Sequence, residues 1–331
     1  MTEKKILITG GSGYIGSCLA SFFSNKYKVI TLDKKKKNIF LNKKIKHFIC
    51  DLTDQKKLSK ILEEIKPDAV VHLAGQSTID MVKKEKNKYY KNNILATNIL
   101  VRVMKDLKIP KLIFSSTAAI YDKCKSSLKE TSKIKSKNSY GLTKIKCEEI
   151  IIKNFKLSQT KYCILRFFNV ASSLKDTKIG ELHSPETHLI PILINALSSK
   201  NNIHIYGDNY NTKDGTCLRD YIHIFDILTA IEKSIFFLDK NKSNIFNLGS
   251  GRCYSVIDTI RTCEKIYKKK TNILIKKIRK YDSEMLMCNI SKANKILKWK
   301  PIKSNLKKII QDEIYWFKYL NKKKIFRRYI Y

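Results

Sequence analysis

Tyr140 and Lys144, four residues apart in SYGLTK, are the pairing best suited to chemistry. On a helix such residues share a face, and Tyr140 to Phe155 carries a helical pattern. An ammonium beside a phenol favours the phenolate, lowering a pKa that starts near ~10 and making tyrosine a usable base. Thr117, closing the run Leu112 to Ser115 and its tail, is placed to pass a proton between a substrate hydroxyl and Tyr140. The competing structural reading is a helix-face tyrosine packed on a sheet.

A second chemical signal sits at the amino end. Gly10, Gly13 and Gly16 in GGSGYIGS follow the apolar run Lys5 to Thr9 and open the amphipathic stretch Tyr14 to Ser24. Glycines there permit a tight turn, close backbone approach to a pyrophosphate and close helix–strand packing. The helix start then offers N–H groups and the positive dipole end to phosphates. Asp33, ending the next strand, is suited to a ribose hydroxyl and repels a 2′-phosphate, which favours NAD over NADP. Lys34 to Lys37 either accommodate such a phosphate or form a solvated loop. Asp51 either meets the adenine or caps the segment starting at Thr53.

The elements that must position these residues alternate. Lys28 to Leu32, Ile45 to Cys50, Ala69 to Leu73, Leu112 to Ser115 and Tyr162 to Phe168 read as buried strands. Between them come a helix with apolar Leu58, Ile61, Leu62 and Ile65 closed by Pro67, the long helical stretch Tyr89 to Leu107, and Tyr140 to Phe155. Apolar rather than alternating strands in a βαβα rhythm predict a parallel sheet covered on both faces. The expected class is α/β: a Rossmann-type doubly wound parallel sheet with a smaller, interwoven carboxy-terminal lobe. Residues 1–170 form the dinucleotide domain, with a returning strand near 244–250, and 171–331 are mainly the substrate lobe. After Leu248 the chain reads as helical and basic.

With 331 residues, no staple is needed for a core. The nine cysteines form no Cys-x-x-Cys pair and fit no zinc spacing, so a reduced compartment and no metal are expected. No run reaches the roughly 20 apolar residues of a membrane helix, and the amino terminus enters a strand at once, so the cytoplasm is expected. The net charge of +38 comes from lysines scattered along the chain, without a basic segment interleaved with stacking aromatics. That argues against specific nucleic-acid binding, although it favours anionic substrates.

Taken together, the motifs resemble those of the extended short-chain dehydrogenase/reductases, and specifically the UDP-galactose 4-epimerase family. GGSGYIGS, HLAG at His72 to Gly75, YYKNN at Tyr89 to Asn93, FSST and SYGLTK carry the first half. LRFFNVA, PETHLIP, DGTCLRDYIH and NLGSG carry the second. The resemblance implies NAD-dependent interconversion of UDP-glucose and UDP-galactose at carbon 4, through a transient 4-keto sugar and with no net redox change. It implies Tyr140 as base, Lys144 on the cofactor ribose and Thr117 as proton relay. It places Gly10, Gly13, Tyr14, Ile15, Gly16, Asp33, Asp51, Leu52, Leu73, Ala74, Gly75, Asn92, Ser115 and Phe167, with Tyr140 and Lys144, around NAD. For the substrate it points to Asn169, His188, Leu189, Tyr206, Arg219, Arg279 and Asp282, together with Thr117 and Tyr140. Paired arginines suit a diphosphate, since guanidinium forks match phosphate oxygens. A homodimer through the helices around 90–107 and 140–155 is also implied.

Some positions depart from the family pattern: Ser77 replaces a frequent lysine near the nicotinamide, Phe167 a tyrosine, and Asp122 and Ser172 glycines. A 4,6-dehydratase would place an acidic pair after the threonine, whereas Ala118 and Ala119 follow Thr117. Epimerisation of UDP-N-acetylhexosamines stays open, with Leu286 at the position controlling room for the acetyl group. A binding protein that has lost catalysis is a further alternative.

Overall fold

The computed structural model describes residues 3–36, 38, 40–77, 86–122, 126–182, 185–279 and 282–325. Strand β1 (Lys5–Thr9) leads through the glycine turn to α1 (Tyr14–Phe23), then β2 (Lys28–Asp33) and β3 (Lys46–Ile49). Next come α2 (Gln55–Ile65), β4 (Ala69–His72), the short α3 (Lys86–Tyr89) and α4 (Ala96–Asp106). They are followed by β5 (Lys111–Thr117), α5 (Ser139–Phe155) and β6 (Lys161–Phe167). The chain then runs through β7 (Asn169–Ala171), α6 (Leu189–Ser199), β8 (Ile203–Tyr206), β9 (Leu218–Arg219) and β10 (Tyr221–His223). Helix α7 (Ile224–Lys240) and β11 (Asn244–Leu248) return it to the main sheet. It ends with β12 (Tyr254–Ser255), α8 (Val256–Tyr267), β13 (Ile273–Lys276), β14 (Met285–Leu286), α9 (Ser291–Leu297) and α10 (Leu306–Lys322).

The seven-stranded sheet has the order β11-β6-β5-β4-β1-β2-β3. The pairs β1–β2, β1–β4, β2–β3, β4–β5 and β5–β6 are parallel. The order reverses between β1 and β4, where open α/β sheets bind ligands at the strands' carboxy ends. Its core joins Leu7, Leu32, Val70, Leu112, Phe114 and Ile164 of the strands to Leu58, Leu62, Leu100, Met104 and Ile151 of the helices. The expected doubly wound parallel sheet is therefore present.

The chain divides into two compact units: residues 1–122, 133–167 and 228–246, and residues 123–132, 168–227 and 247–331. In the second unit, α6, α8 and α10 pack around Ile194, Leu197, Ile260, Ile309 and Ile310. Its small sheets pair β7 with β10, β8 with β13, and β9 with both β12 and β14. These strands correct the helical reading of the chain after Leu248. They are two to four residues long and pair with segments more than 30 residues away, so no local period announces them.

The helical stretch from Tyr89 is likewise interrupted. Residues Tyr90–Leu95 form a π-helical segment, a geometry that concentrates at functional sites. No helix among the described residues is long and apolar enough to cross a membrane.

A buried ion pair ties β6 to α5. Arg166 Nε and Nη2 donate to Glu148 at 3.0 and 2.7 Å, and Nη1 donates to Tyr121 Oη at 2.8 Å. Arg166 is 2% exposed. Replacing Glu148 with alanine leaves the guanidinium buried without its counter-charge, an expected loss of about 3–5 kcal/mol. Urea unfolding of Glu148→Ala checks this; the double replacement Glu148→Leu with Arg166→Met is expected to lose less.

Candidate active site

At the β1–α1 turn, Gly10 has φ +71, and a Cβ there would lie 2.6 Å from Ala74 N. A Cβ on Gly16 would lie 2.1 Å from Gly10 O. The turn thus closes only with bare glycines, drawing the loops after β1 and β4 together, and no side chain caps α1. Tyr14, Ile15 and Gly16 form the first turn of that helix, behind the cap residue Gly13.

Asp33 ends β2, and its carboxylate accepts N–H bonds from Ser12 at 3.1 Å and Lys35 at 3.0 Å. Those bonds aim it beside the glycine turn. Lys34 Nζ donates to Asn92 Oδ1 at 3.0 Å, joining the β2 end to the π segment. Asp51 closes its own turn on Thr53, whose N and Oγ1 lie 2.9 and 2.8 Å away. The helix cap is Asp54, which accepts from Lys57 N, so of the two readings of Asp51 the helix cap is excluded. Leu52 is a core residue, Leu73, Ala74 and Gly75 follow β4, and Phe167 closes β6, 7% exposed.

The reactive group lies at the carboxy end of β5. Asn138 caps α5 by accepting from Gly141 N, which sets Tyr140 in the first turn. Its phenol hydrogen-bonds Thr117, so the structure joins these two residues as expected. Thr117 Oγ1 also accepts from Ala119 N at 3.2 Å. One turn on, Lys144 is 5% exposed; its Nζ donates to Ser115 O at 2.8 Å and lies 4.7 Å from the Phe114 ring centre.

The lysine does not lower the phenol's pKa in this state. Burial pushes Tyr140 up to about 12, against the lowering effect of the Thr117 bond. Lys144 Nζ is 6.0 Å from the Tyr140 ring centre and donates to the Ser115 carbonyl. Burial also pulls the Lys144 pKa down. A shared helix face therefore does not by itself make a phenolate.

Asn93, rather than Asn92, is the buried asparagine of the π segment. Its Oδ1 accepts from Gln76 N at 2.7 Å, and its Nδ2 donates to Gln76 O and Thr143 Oγ1. Thr143 Oγ1 donates in turn to Tyr140 O at 2.7 Å. Asn93 thus links the loop after β4 to the turn carrying Tyr140. The YYKNN motif was the available signal, but regular helical spacing cannot say which asparagine faces inward across a π turn.

In the second unit, Arg279 stacks on Tyr206, with its guanidinium carbon 3.8 Å from the ring centre. Arg219 Nη2 lies 3.4 Å from Asp282 Oδ1, and Nη1 donates to the carbonyls of Leu218 and Ser283. Tyr210, absent from the sequence reading, belongs to this group. It feels the charges of Asp282, Arg219 and Arg279, and its buried hydroxyl has no partner among the described residues. Asn169 donates to Asp220 O at 2.9 Å.

His188 caps α6, placing Leu189 first in that helix. Burial opposes its protonation, but bonds to Glu181 and Glu186 outweigh that and push it up to about 10. Ser172, at φ +82, holds a left-handed conformation that suits glycine better; its Oγ bonds His223 Nε2 at 3.0 Å. Asp122 donates its N–H to Lys133 O, and Ser77 is exposed.

Such a sheet, with a bare glycine turn at its switch point and a tyrosine, threonine and lysine at the neighbouring strand end, defines a dinucleotide-dependent sugar- or alcohol-modifying class. The NAD dependent epimerase/dehydratase family matches residues 6–249, and this chain belongs to it. It is 36% identical over 322 residues to the UDP-glucose 4-epimerase of Lactobacillus helveticus, covering 95% of this chain and 97% of that one. Its structure is similar to UDP-glucose 4-epimerase from Bifidobacterium longum, crystallised with NAD+ and UDP. There the TM-score is 0.88 at 28% identity, covering 98% of this chain and 100% of that one. It is also similar to the UDP-Glc/GlcNAc 4-epimerase of Campylobacter jejuni, with TM-score 0.82 at 33% identity and 96% and 99% coverage.

Near-ultraviolet titration of the ligand-free protein should therefore show a phenol, absent in Tyr140→Phe, that ionises near about 12 and not below ~10. Because the folded value is the higher one, this group's contribution to stability is present below pH ~10 and lost as pH rises from there to about 12.

Proposed function

We infer that this protein is an NAD-dependent UDP-sugar 4-epimerase that interconverts UDP-glucose and UDP-galactose. The observation that carries the reading is the group of Tyr140, Thr117 and the buried Lys144 at the end of β5, in a sheet whose switch point carries a glycine turn too close-packed for side chains. Gly10, Gly13, Tyr14, Ile15 and Gly16 would cradle the pyrophosphate, and Asp33 the adenosine ribose. Asp51, Leu52, Leu73, Ala74, Gly75, Asn92, Ser115 and Phe167 complete the site, with Lys144 on the second ribose. When bound, NAD supplies the hydride acceptor and donor by which carbon 4 passes through a ketone with no net redox change.

Tyr140 Oη takes the proton of the sugar 4-hydroxyl and gives it back on the other face. Thr117, bonded to the phenol, links the two oxygens. As the resting phenol is neutral, its action as base depends on Lys144 and on charge arriving with the ligands. Arg219 and Arg279 hold the diphosphate by guanidinium forks, with Asn169, His188, Leu189 and Asp282 beside it, and Tyr206 stacks near the uracil. Tyr210, whose buried hydroxyl lacks a partner, joins this set. Strong diphosphate anchoring with few sugar contacts leaves the sugar free to turn.

The free thiols of the eight described cysteines, all buried but Cys253, suit a reducing compartment such as the cytoplasm. The reading includes a homodimer through α4 and α5, where Leu142 and Ile152 of α5 are 52% and 38% exposed. Sedimentation at several concentrations should give the mass of two chains, with Leu142→Asp shifting the population to monomer. A wild-type monomer at every concentration rejects the dimer.

Purified protein given UDP-galactose should form UDP-glucose, and Tyr140→Phe should lower turnover by at least ~10²–10⁴-fold. Near-normal turnover in that variant removes Tyr140 from the chemistry. Conversion only with added NAD points to weak cofactor retention at Ser77. UDP-N-acetylgalactosamine run in parallel decides the N-acetyl question at Leu286.

A further inference from the structure

The glycine-rich stretch NLGSG, Asn247 to Gly251, has no part in the chemistry above. Successive backbone N–H groups in such a turn make a concavity of the kind that binds anions. Here the anion is one of the protein's own side chains. Asp220 Oδ1 accepts from Ser250 N and Ser250 Oγ, both at 2.7 Å. Its Oδ2 accepts from Gly251 N at 3.0 Å and Cys288 N at 3.1 Å. Gly251 takes φ +75, and a Cβ on Gly249 would lie 2.8 Å from Asp220 Oδ2, so the turn is shaped to this carboxylate. All of these residues belong to the second unit.

The backbone of Asp220, between β9 and β10, is equally committed. Its N donates to Leu286 O at 3.1 Å, and its O accepts from Asn169 N at 3.1 Å and Asn169 Nδ2 at 2.9 Å. An amide nitrogen carries two hydrogens, so the Asn169 side chain is oriented by one and keeps the other for a ligand. Arg219 comes just before Asp220, and successive side chains of an extended chain point to opposite faces. With Asp220 held by Ser250, Gly251 and Cys288, Arg219 is turned the other way, toward Asp282. Asp220 is fully buried, out of reach of any ligand. Buried charges can often be replaced by apolar groups without loss of stability, so this carboxylate is better explained by the geometry it imposes than by stability.

We propose that Asp220 is a positioning residue for diphosphate binding: gripped by the NLGSG turn and Cys288, it sets Arg219 and Asn169 in the geometry that receives the UDP part of the substrate. It acts through those two residues and touches neither the substrate nor NAD. The proposal rests on the UDP-sugar reading of Arg219 and Asn169. It also gives the glycine turn its role. NLGSG has the look of a phosphate loop, but two of its N–H groups are taken by a carboxylate of the same chain. Asp220 and Ser250 are 30 residues apart, so no local spacing announces the pairing.

The test measures UDP binding by calorimetry and UDP-galactose turnover, on full-length protein supplied with NAD, for the wild type, Asp220→Asn, Ser250→Ala and Ser250→Thr. Asp220→Asn keeps the shape but turns an amide nitrogen toward backbone donors. It should raise the Kd for UDP and the KM for UDP-galactose at least ~tenfold. Turnover at saturation should be nearly unchanged, the pattern of lost uniform binding. Ser250→Ala removes one bond to the carboxylate and should raise both constants about threefold; Ser250→Thr keeps the hydroxyl and should stay near the wild type. A purely structural role has another signature, since a smaller folded fraction lowers kcat and leaves KM alone. Circular dichroism reports folding, and if Asp220→Asn does not fold, the Ser250 pair decides. Unchanged Kd and KM in the folded variants, or a fall in kcat alone, overturns the proposal while leaving the UDP-sugar reading intact. A wild type that does not bind UDP overturns that reading and the proposal with it.

Discussion

An ammonium group buried in the first unit sets much of what surrounds it. Lys144 has lost nearly all its water, and an isolated buried charge is strongly unfavourable. It is accommodated by the Ser115 carbonyl at the end of β5 and by the face of Phe114. Gly75 lies close by: a Cβ there would touch Nζ at 3.7 Å and crowd Asn93 Oδ1 at 3.0 Å. The nearby His72 answers by staying neutral: burial, helped by the lysine's charge, pulls its pKa down to about 3. Its ring instead bridges the hydroxyls of Thr9 and Thr97, joining β1, β4 and α4.

The irregular helix in the same unit serves the polar groups of its neighbours. A regular helix through Tyr90–Leu95 would present different side chains to Gln76 and Thr143. The π turn lets Asn93 satisfy both, and through Thr143 it braces the first turn of α5. Reactive tyrosine, supporting lysine and the loop beyond β4 are thus one polar assembly, in which each buried group has an assigned partner. That is the condition for a polar network to hold a single geometry within a core.

The second unit solves a comparable problem with an anion. Asp220 is fully buried, and its carboxylate accepts from Ser250 N and Oγ, Gly251 N and Cys288 N. Desolvation still pushes its pKa up to about 6, against those bonds. This one side chain gathers the NLGSG turn and the segment after β14 around β9, where Arg219 is held. The rigid part of that lobe is therefore the frame of the arginine group. Binding energy placed on a diphosphate by such a frame is compatible with a sugar left free to reorient.

The sequence by itself determined the parallel sheet, the glycine turn, the end of β2 at Asp33 and the placing of Tyr140, Thr117 and Lys144 at one strand end. Each of these follows from a local signal: apolar runs, glycines between strand and helix, or a four-residue helical spacing. The phenol's raised pKa, the burial of Asn93, the small strands after Leu248 and the meeting of Glu181 and Glu186 with His188 were decided by the tertiary structure alone. Desolvation depends on what packs over a group, and a π turn or a two-residue strand exists only because a distant segment completes its hydrogen bonds. A pattern read along the chain carries periods and caps; it carries no record of which charge will lie beside which once the chain has closed.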